Sequence, residues 1–249
     1  VLVPGVVSTK APGVGGSDLL DLAQMSVHGS ETSDYRVQQD GFILGNAYQS
    51  YNGFVPNMGS SAEATVNTAG SGADWWGSGL VLNVIPKEGS NSYSGDIFVT
   101  AATEGWQSDN LSERVQDLGL TSSNRLKDTY DINPSFGGPI IQDKLWFYAS
   151  GRMTQVRQFA GGTWHNKNAG IVDSWTYDPD YDRQAISNNF SNSGNTRFTY
   201  QATRNNKLGL SYEYQRACVC DEVGIGTAGW GASLRVSPEA AYDATYPDS

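Results

Sequence analysis

Apolar and polar residues alternate along the second half of the chain with a period of two, the signature of strands that show one face to an apolar medium. Over Tyr93–Thr103 one face carries Tyr93, Gly95, Ile97, Val99 and Ala101, and the other carries Ser94, Asp96, Phe98, Thr100 and Ala102. The same split recurs over Tyr130–Gly137 and Lys144–Val156. In the last two segments Thr196, Phe198, Tyr200 and Ala202 oppose Arg197, Thr199, Gln201 and Thr203, and Leu208, Leu210, Tyr212 and Tyr214 oppose Lys207, Gly209, Ser211, Glu213 and Gln215. The connections alternate as well: tight at Gly138–Asp143 and Arg204–Asn206, long and polar over 106–129, 157–194 and 217–249. Strands of about ten residues joined by short turns at one end and long loops at the other match a transmembrane β-barrel. Tyr93, Tyr130, Phe136, Trp146, Phe147, Tyr212 and Tyr214 would suit its interfacial girdles. A soluble sandwich or barrel shares the period and stays open as a reading.

The first 91 residues read differently, as a Gly/Ser-rich run of short elements. Ser17 can cap a brief helix over Asp18–Gln24, and short apolar stretches follow at Met25–Val27, Phe42–Leu44, Ala64–Val66 and Leu80–Ile85, each bounded by turn residues. The expectation is a mainly β chain: a small α+β domain over 1–91, then antiparallel barrel strands over 92–249.

Composition narrows the function classes. With 26 Asp+Glu against 16 Lys+Arg, the net charge is −10, which disfavours a nucleic-acid partner. No run of about 18 apolar residues could form a membrane helix. Only His28 and His165 are available to a triad or a His-rich metal site, and no nucleophile elbow, phosphate loop or zinc-protease motif occurs. The chain therefore reads as a non-enzyme with no cofactor. Asp178, Asp180 and Asp182 alternate as at the start of a calcium loop, but Arg183 and Asn189 stand where that loop needs Gly and Glu; a solvated acidic loop competes. Cys218 and Cys220 would share one strand face, as a local disulfide or as partners for cysteines outside the chain.

Three stretches resemble the TonB-dependent outer-membrane receptors, in particular their Oar-related, carboxypeptidase-regulatory-like branch. Val27-His-Gly-Ser-Glu-Thr-Ser-Asp-Tyr-Arg-Val-Gln-Gln-Asp-Gly41 is similar to the plug signature of that family. Gly77–Asn91, with Asn83-Val-Ile-Pro-Lys-Glu-Gly-Ser-Asn91, resembles the segment that ends the plug and opens the barrel. Ser135-Phe-Gly-Gly-Pro-Ile-Ile-Gln-Asp-Lys-Leu-Trp-Phe-Tyr148 resembles an early barrel hairpin. Departures are His28 where Arg is common, Pro86 where Thr is common, and Trp75-Trp76 where Glu-Tyr is usual.

The resemblance implies a plug domain over 1–91 seated in a barrel begun by 92–249, in the outer membrane of a Gram-negative bacterium. It implies energised uptake of a scarce solute, peptide or glycan, with a TonB-type partner engaging a segment upstream of Val1. On the plug, Asn46, Tyr48, Gln49, Tyr51, Asn52 and Phe54 form the loop richest in stacking and hydrogen-bonding groups; packing against the barrel wall is the competing role for its aromatics. Arg36 and Asp40 are the charged candidates for holding plug to wall. The competing function is a structural or adhesive β-rich surface protein that self-associates through open strand edges. At roughly 31 residues per strand, a barrel of about 22 strands would take on the order of 690 residues beyond the plug, so a partial chain, or several chains completing one wall, is expected.

Overall fold

The computed structural model describes residues 5–8, 25–31, 34–44, 55–68, 79–108, 111–119, 122, 124–226 and 233–246. The expected helix over Asp18–Gln24 and the loop containing Asn46, Tyr48, Gln49, Tyr51, Asn52 and Phe54 lie outside these residues. The described chain is mainly β and folds into antiparallel sheets with one parallel strand pair.

The N-terminal part is built from short strands: β1 (Val6–Ser8), β2 (Met25–Val27), β3 (Arg36–Gln39), β4 (Phe42–Ile43), β5 (Ser61–Asn67) and β6 (Val81–Pro86). β1 pairs with β2, and the remaining four form a sheet in the order β4-β3-β6-β5, in which only β3 and β6 run parallel. β3 turns into β4 through Asp40-Gly41, both at positive φ (50° and 82°), the conformation for which Asp-Gly is suited in a tight hairpin. Asn83 on β6 fixes this turn by accepting from the Gly41 N–H at 3.2 Å. Val27, Tyr35, Val37, Leu80, Leu82 and Val84 form the buried apolar cluster, with Val6, Met25, Leu44 and Val66 packed against it.

The C-terminal part is one large sheet. Its strands are β7 (Ser94–Thr103), β8 (Arg125–Ile141), β9 (Leu145–Asn166), β10 (Pro179–Thr203), β11 (Asn206–Glu222) and β14 (Tyr242–Tyr246), in the order β14-β11-β10-β9-β8-β7 and antiparallel throughout. A five-residue helix, α1 (Glu113–Asp117), lies between β7 and β8, and a small hairpin of β12 (Gly224–Gly226) and β13 (Ser233–Arg235) lies between β11 and β14. Among the described residues the sheet does not close: β7 and β14 are its edges.

The strands outrun the sequence pattern. The stretches 157–194 and 217–249, expected as long loops, are largely strand: β9 and β10 reach 22 and 25 residues, and only 167–178 connects them. Alternation could not reveal the extension of β9 and β10, because most positions over 157–166 and 179–194 are polar or glycine. The ladder is instead held by cross-strand polar pairs such as Gln155 Nε2 donating to Asn188 Oδ1 at 2.6 Å and the bidentate Arg157–Asp128 pair. The far end of β9 is also tied sideways: His165 Nδ1 lies 2.9 Å from Glu239 Oε1, and Gly161 N–H donates to Asn124 Oδ1 at 2.6 Å.

One buried group of the small sheet lacks a partner among the described residues. The Tyr35 hydroxyl sits in the apolar cluster unbonded, and burial pushes its phenol far above the ordinary tyrosine range. An orphaned buried hydroxyl costs about 1–3 kcal/mol, so Tyr35→Phe should leave the small sheet as stable or about 1 kcal/mol more stable. Leu80→Ala, which opens a cavity in the same cluster, should cost about 2–5 kcal/mol. Hydrogen-exchange protection of the β3 and β6 amides in rising denaturant measures both; a large loss from Tyr35→Phe would mean that the hydroxyl is bonded.

Candidate functional site

The two faces of the large sheet have opposite chemistry, and the burial pattern is the reverse of a water-soluble sheet. Register places Asp131, Asn133 and Ser135 of β8, Tyr148, Ser150, Arg152 and Thr154 of β9, Ser191, Asn195, Arg197 and Thr199 of β10, and Glu213 and Gln215 of β11 on one face. Asn133, Ser135, Thr154, Ser191, Asn195, Thr199 and Gln215 are all buried. The opposite face carries Ile97, Val99, Phe136, Phe198, Leu208, Leu210 and Tyr212, and these are exposed, Leu210 to 69%. Tyr93, Phe136 and Phe147 pack in a row across that face, with ring centroids 6.0 and 5.8 Å apart.

The buried polar face meets the small sheet. Three pieces of the N-terminal part reach it, each through polar contacts. The first is the β3–β4 turn: Asp40 pairs with Arg197 Nη1, and Gln39 Nε2 donates to Glu213 Oε2 at 2.7 Å. The second is the segment before β5, where Asn57 and Asn133 exchange amide hydrogen bonds at 3.0 and 2.7 Å and the Val55 N–H donates to Gln215 Oε1 at 2.9 Å. Asn57 also accepts from the Gly59 N–H, capping the single 3-10 turn Met58–Ser60, and Gly59 lies so close to the Asn133 amide that a Cβ has no room. The third is the linker after β6. Glu88 accepts from Arg197 Nη2 at 3.0 Å and from Lys207 Nζ at 2.5 Å, and Gly89 presses on the Phe147 backbone.

Arg197 is thus shared by two carboxylates from separate pieces of the N-terminal part, with only 15% of its side chain exposed. Partial burial pushes the Glu88 carboxyl up, but the hydrogen bonds and charges of Lys207 and Arg197 outweigh it and hold the group below the usual carboxylate range. Just beyond, Asn91 clamps the β8–β9 turn by accepting from the Asp143 N–H at 2.9 Å and the Trp146 indole at 2.7 Å.

Of the sequence candidates, Asp40 lies in this network, while Arg36 donates to the Tyr35 carbonyl at 2.9 Å. Cys218 and Cys220 carry a disulfide with Cα atoms 5.3 Å apart, and Cys218 is buried. Asp180 and Asp182 lie in β10, with Asp178 just before it; among the described residues no group of three or more His, Cys, Asp or Glu side chains is placed to hold a metal ion. Sequence reasoning missed Arg197, Glu88, Lys207 and the Asn57–Asn133 pair. The available signal was an ionised residue at the centre of an otherwise Ser/Thr/Asn strand face, as at Arg197 and Glu213.

Arg197→Ala removes both bridges and leaves Asp40 without the cation it faces. It should weaken docking of the small sheet by about 1.5–3 kcal/mol, read as faster amide exchange at Gln39, Asp40 and Glu88 with β8–β10 unchanged. Because the Glu88 carboxyl is depressed in the folded chain, its contribution is full above its ordinary value of 4.5 and is lost as pH falls through the lower folded value. Acidification below 4.5 should lower the protection of the same amides, measured against each amide's intrinsic exchange rate at that pH, in the native chain; Glu88→Gln should abolish that acid response, and its persistence would exclude Glu88 as the source.

No family model matches the chain. A stretch of 71 residues is 32% identical to the TonB-dependent transporter Oar of Myxococcus xanthus. The match covers 28% of this chain and 7% of that protein, so the similarity reaches a small part of the relative's length and points to the TonB-dependent receptors as a family at the level of that segment.

Proposed function

We propose that the chain is the plug domain and first barrel strands of a TonB-dependent outer-membrane receptor, with 1–91 as plug and 92–249 as wall, serving energised uptake of a scarce solute in a Gram-negative bacterium. The observation that carries this reading is the reversed burial of the large sheet, apolar side chains outward and polar ones inward. In water that arrangement would expose a broad apolar surface; against lipid it is the stable one.

The height of the apolar band supports the same reading. On the outward face of β9 it runs from Leu145 through Phe147, Ala149 and Gly151 to Met153, and then gives way to Gln155 and Arg157. Nine residues tilted by about 35–45° rise roughly 20–25 Å, close to the height of the hydrocarbon-facing band of such barrels. Strands of 22 and 25 residues exceed the roughly 9–11 needed to cross, so β9 and β10 project beyond the bilayer and carry 167–178 outside.

In this reading the plug is held by the Asp40–Arg197–Glu88 bridge, the TonB-type partner acts on the plug from the periplasm, and the loop with Tyr48, Tyr51 and Phe54 faces incoming ligand. No reaction is catalysed. The open edges of β7 and β14 favour a second reading, a surface protein that assembles edge to edge.

Arginine substitution along β11 separates the two. In a bilayer, Leu210→Arg near mid-depth should destabilise by about 2–4 kcal/mol and Leu208→Arg nearer the turn by about 0–1 kcal/mol. The protein should also need detergent to stay dispersed. Equal tolerance at both positions in a chain that remains ordered and soluble without detergent would favour the assembling surface protein and sink the transporter.

A further inference from the structure

The outward face of the large sheet is interrupted by an open groove of about 470 Å³, within the range of about 300–1,000 Å³ usual for small-molecule sites. Register sets its floor: Gly151 of β9 lies opposite Gly194 of β10, and the rung nearer the turns sets Ala149 opposite Thr196. Pro134 and Phe136 of β8 wall it on one side, Tyr212 and Tyr214 of β11 on the other. The walls stand three strand spacings apart, about 14 Å between backbones.

The backbone does not ask for glycine at this floor. The ladder runs through Gly151 and Gly194 without a register shift, and neither has a positive φ. A Cβ at Gly194 would meet nothing within 4 Å among the described residues, and one at Gly151 only the Ser193 carbonyl oxygen at 3.6 Å. At Gly137 and Gly138 of β8, by contrast, a Cβ would collide with the Phe147 carbonyl oxygen at 2.9 Å and with the Tyr93 ring at 2.2 Å. Glycine inside a strand costs stability, and where neither bulge nor crowding requires it, it marks the close approach of something else.

The groove also has a charged end. One rung above Gly194, Asn192 lies between Met153 of β9 and Arg216 of β11. Arg216 is exposed, with its guanidinium 6.0 Å from the Phe190 ring centroid. It starts about 7 Å above Tyr214, level with Met153, where the apolar band of β9 ends. A hydrocarbon tail lying in the groove therefore brings an anionic head to a cation, on a chain whose net charge is −10. A second copy in the same bilayer would bring its own Arg216 to the same height, like charge facing like.

We propose that this groove is a lipid site: one acyl chain of an anionic membrane lipid lies over Gly151 and Gly194 between the aromatic walls, with its headgroup on Arg216. The proposal rests on the membrane reading above and adds to it one retained lipid at one place.

Photo-labelling tests it on the protein in phosphatidylcholine nanodiscs doped with phosphatidylglycerol that carries a diazirine part-way along its acyl chain. Label should concentrate at Phe136, Tyr212 and Tyr214 over Ile97, which pairs with Pro134 and so lies at the same height outside the groove. Gly194→Leu, which fills the floor without a collision, should erase that excess and leave Ile97 unchanged. Arg216→Gln should lower the excess about fivefold, the effect of one cation at an anionic surface. Even labelling of native Phe136, Tyr212, Tyr214 and Ile97, or an excess that survives Gly194→Leu, would overturn the proposal and leave the membrane reading standing. A native dimer that Gly194→Leu dissolves, with even lipid labelling, would assign the groove to a second copy and overturn it as well. A chain that never enters the nanodiscs would refute the membrane reading, and the lipid site with it.

Discussion

The structure depends on one constraint: a sheet whose side chains are apolar on the outside must satisfy its polar inside by contact with something else. With the small sheet in place Asn133, Asn195, Thr199 and Gln215 are buried, so whatever covers that polar face must also offer it hydrogen bonds. The small sheet answers part of this need. Its three contact segments are short, irregular and polar, and none of them belongs to its own apolar cluster. The small sheet is therefore stabilised internally by apolar packing and externally by hydrogen bonds and ion pairs, two kinds of interaction that respond differently to pH and salt.

This division has a mechanical meaning. The Val27–Val84 cluster keeps the small sheet coherent, whereas its docking relies on the Arg197 bridges and the Asn57–Asn133 exchange. Direct polar contacts of this sort are specific in direction and modest in net strength. The apolar cluster thus holds the small sheet together, while the bridges fix where it sits on the large one.

Much of the large sheet was legible in the sequence because alternation records which face carries the apolar side chains. The faces assigned to β7, β8, β10 and β11 from residues such as Ile97, Phe136, Phe198 and Leu210 are those that the register produces. The pattern failed above Met153, where Gln155, Arg157 and Asn188 turn the outward face polar while Thr154 and Gln158 keep the other face polar, so strand and loop read alike. β3 was equally hard to see from periodicity: Arg36-Val-Gln-Gln39 has one apolar residue, and its strand state is imposed by parallel pairing with β6. The Arg197 network was out of reach for another reason. Asp40, Glu88 and Arg197 are separated by up to 157 residues, and only the folded chain brings the two carboxylates to one guanidinium. The Gly and Asn positions of Asn83–Asn91 did carry information, since Gly89 and Asn91 turn out to fit the chain against β9 and the β8–β9 turn.

The unpaired side of β7 carries a consequence for assembly. From Ser94 to Thr103 a ten-residue strand presents its outer row of N–H and C=O groups with no neighbour among the described residues. In the membrane reading proposed above, hydrocarbon cannot solvate that row, so a further strand has to lie along it. Until then the edge is a template that accepts any extended segment of matching length. On that reading, the order in which strands arrive there, and how that edge is shielded meanwhile, decides whether the sheet closes on itself or pairs with a neighbour.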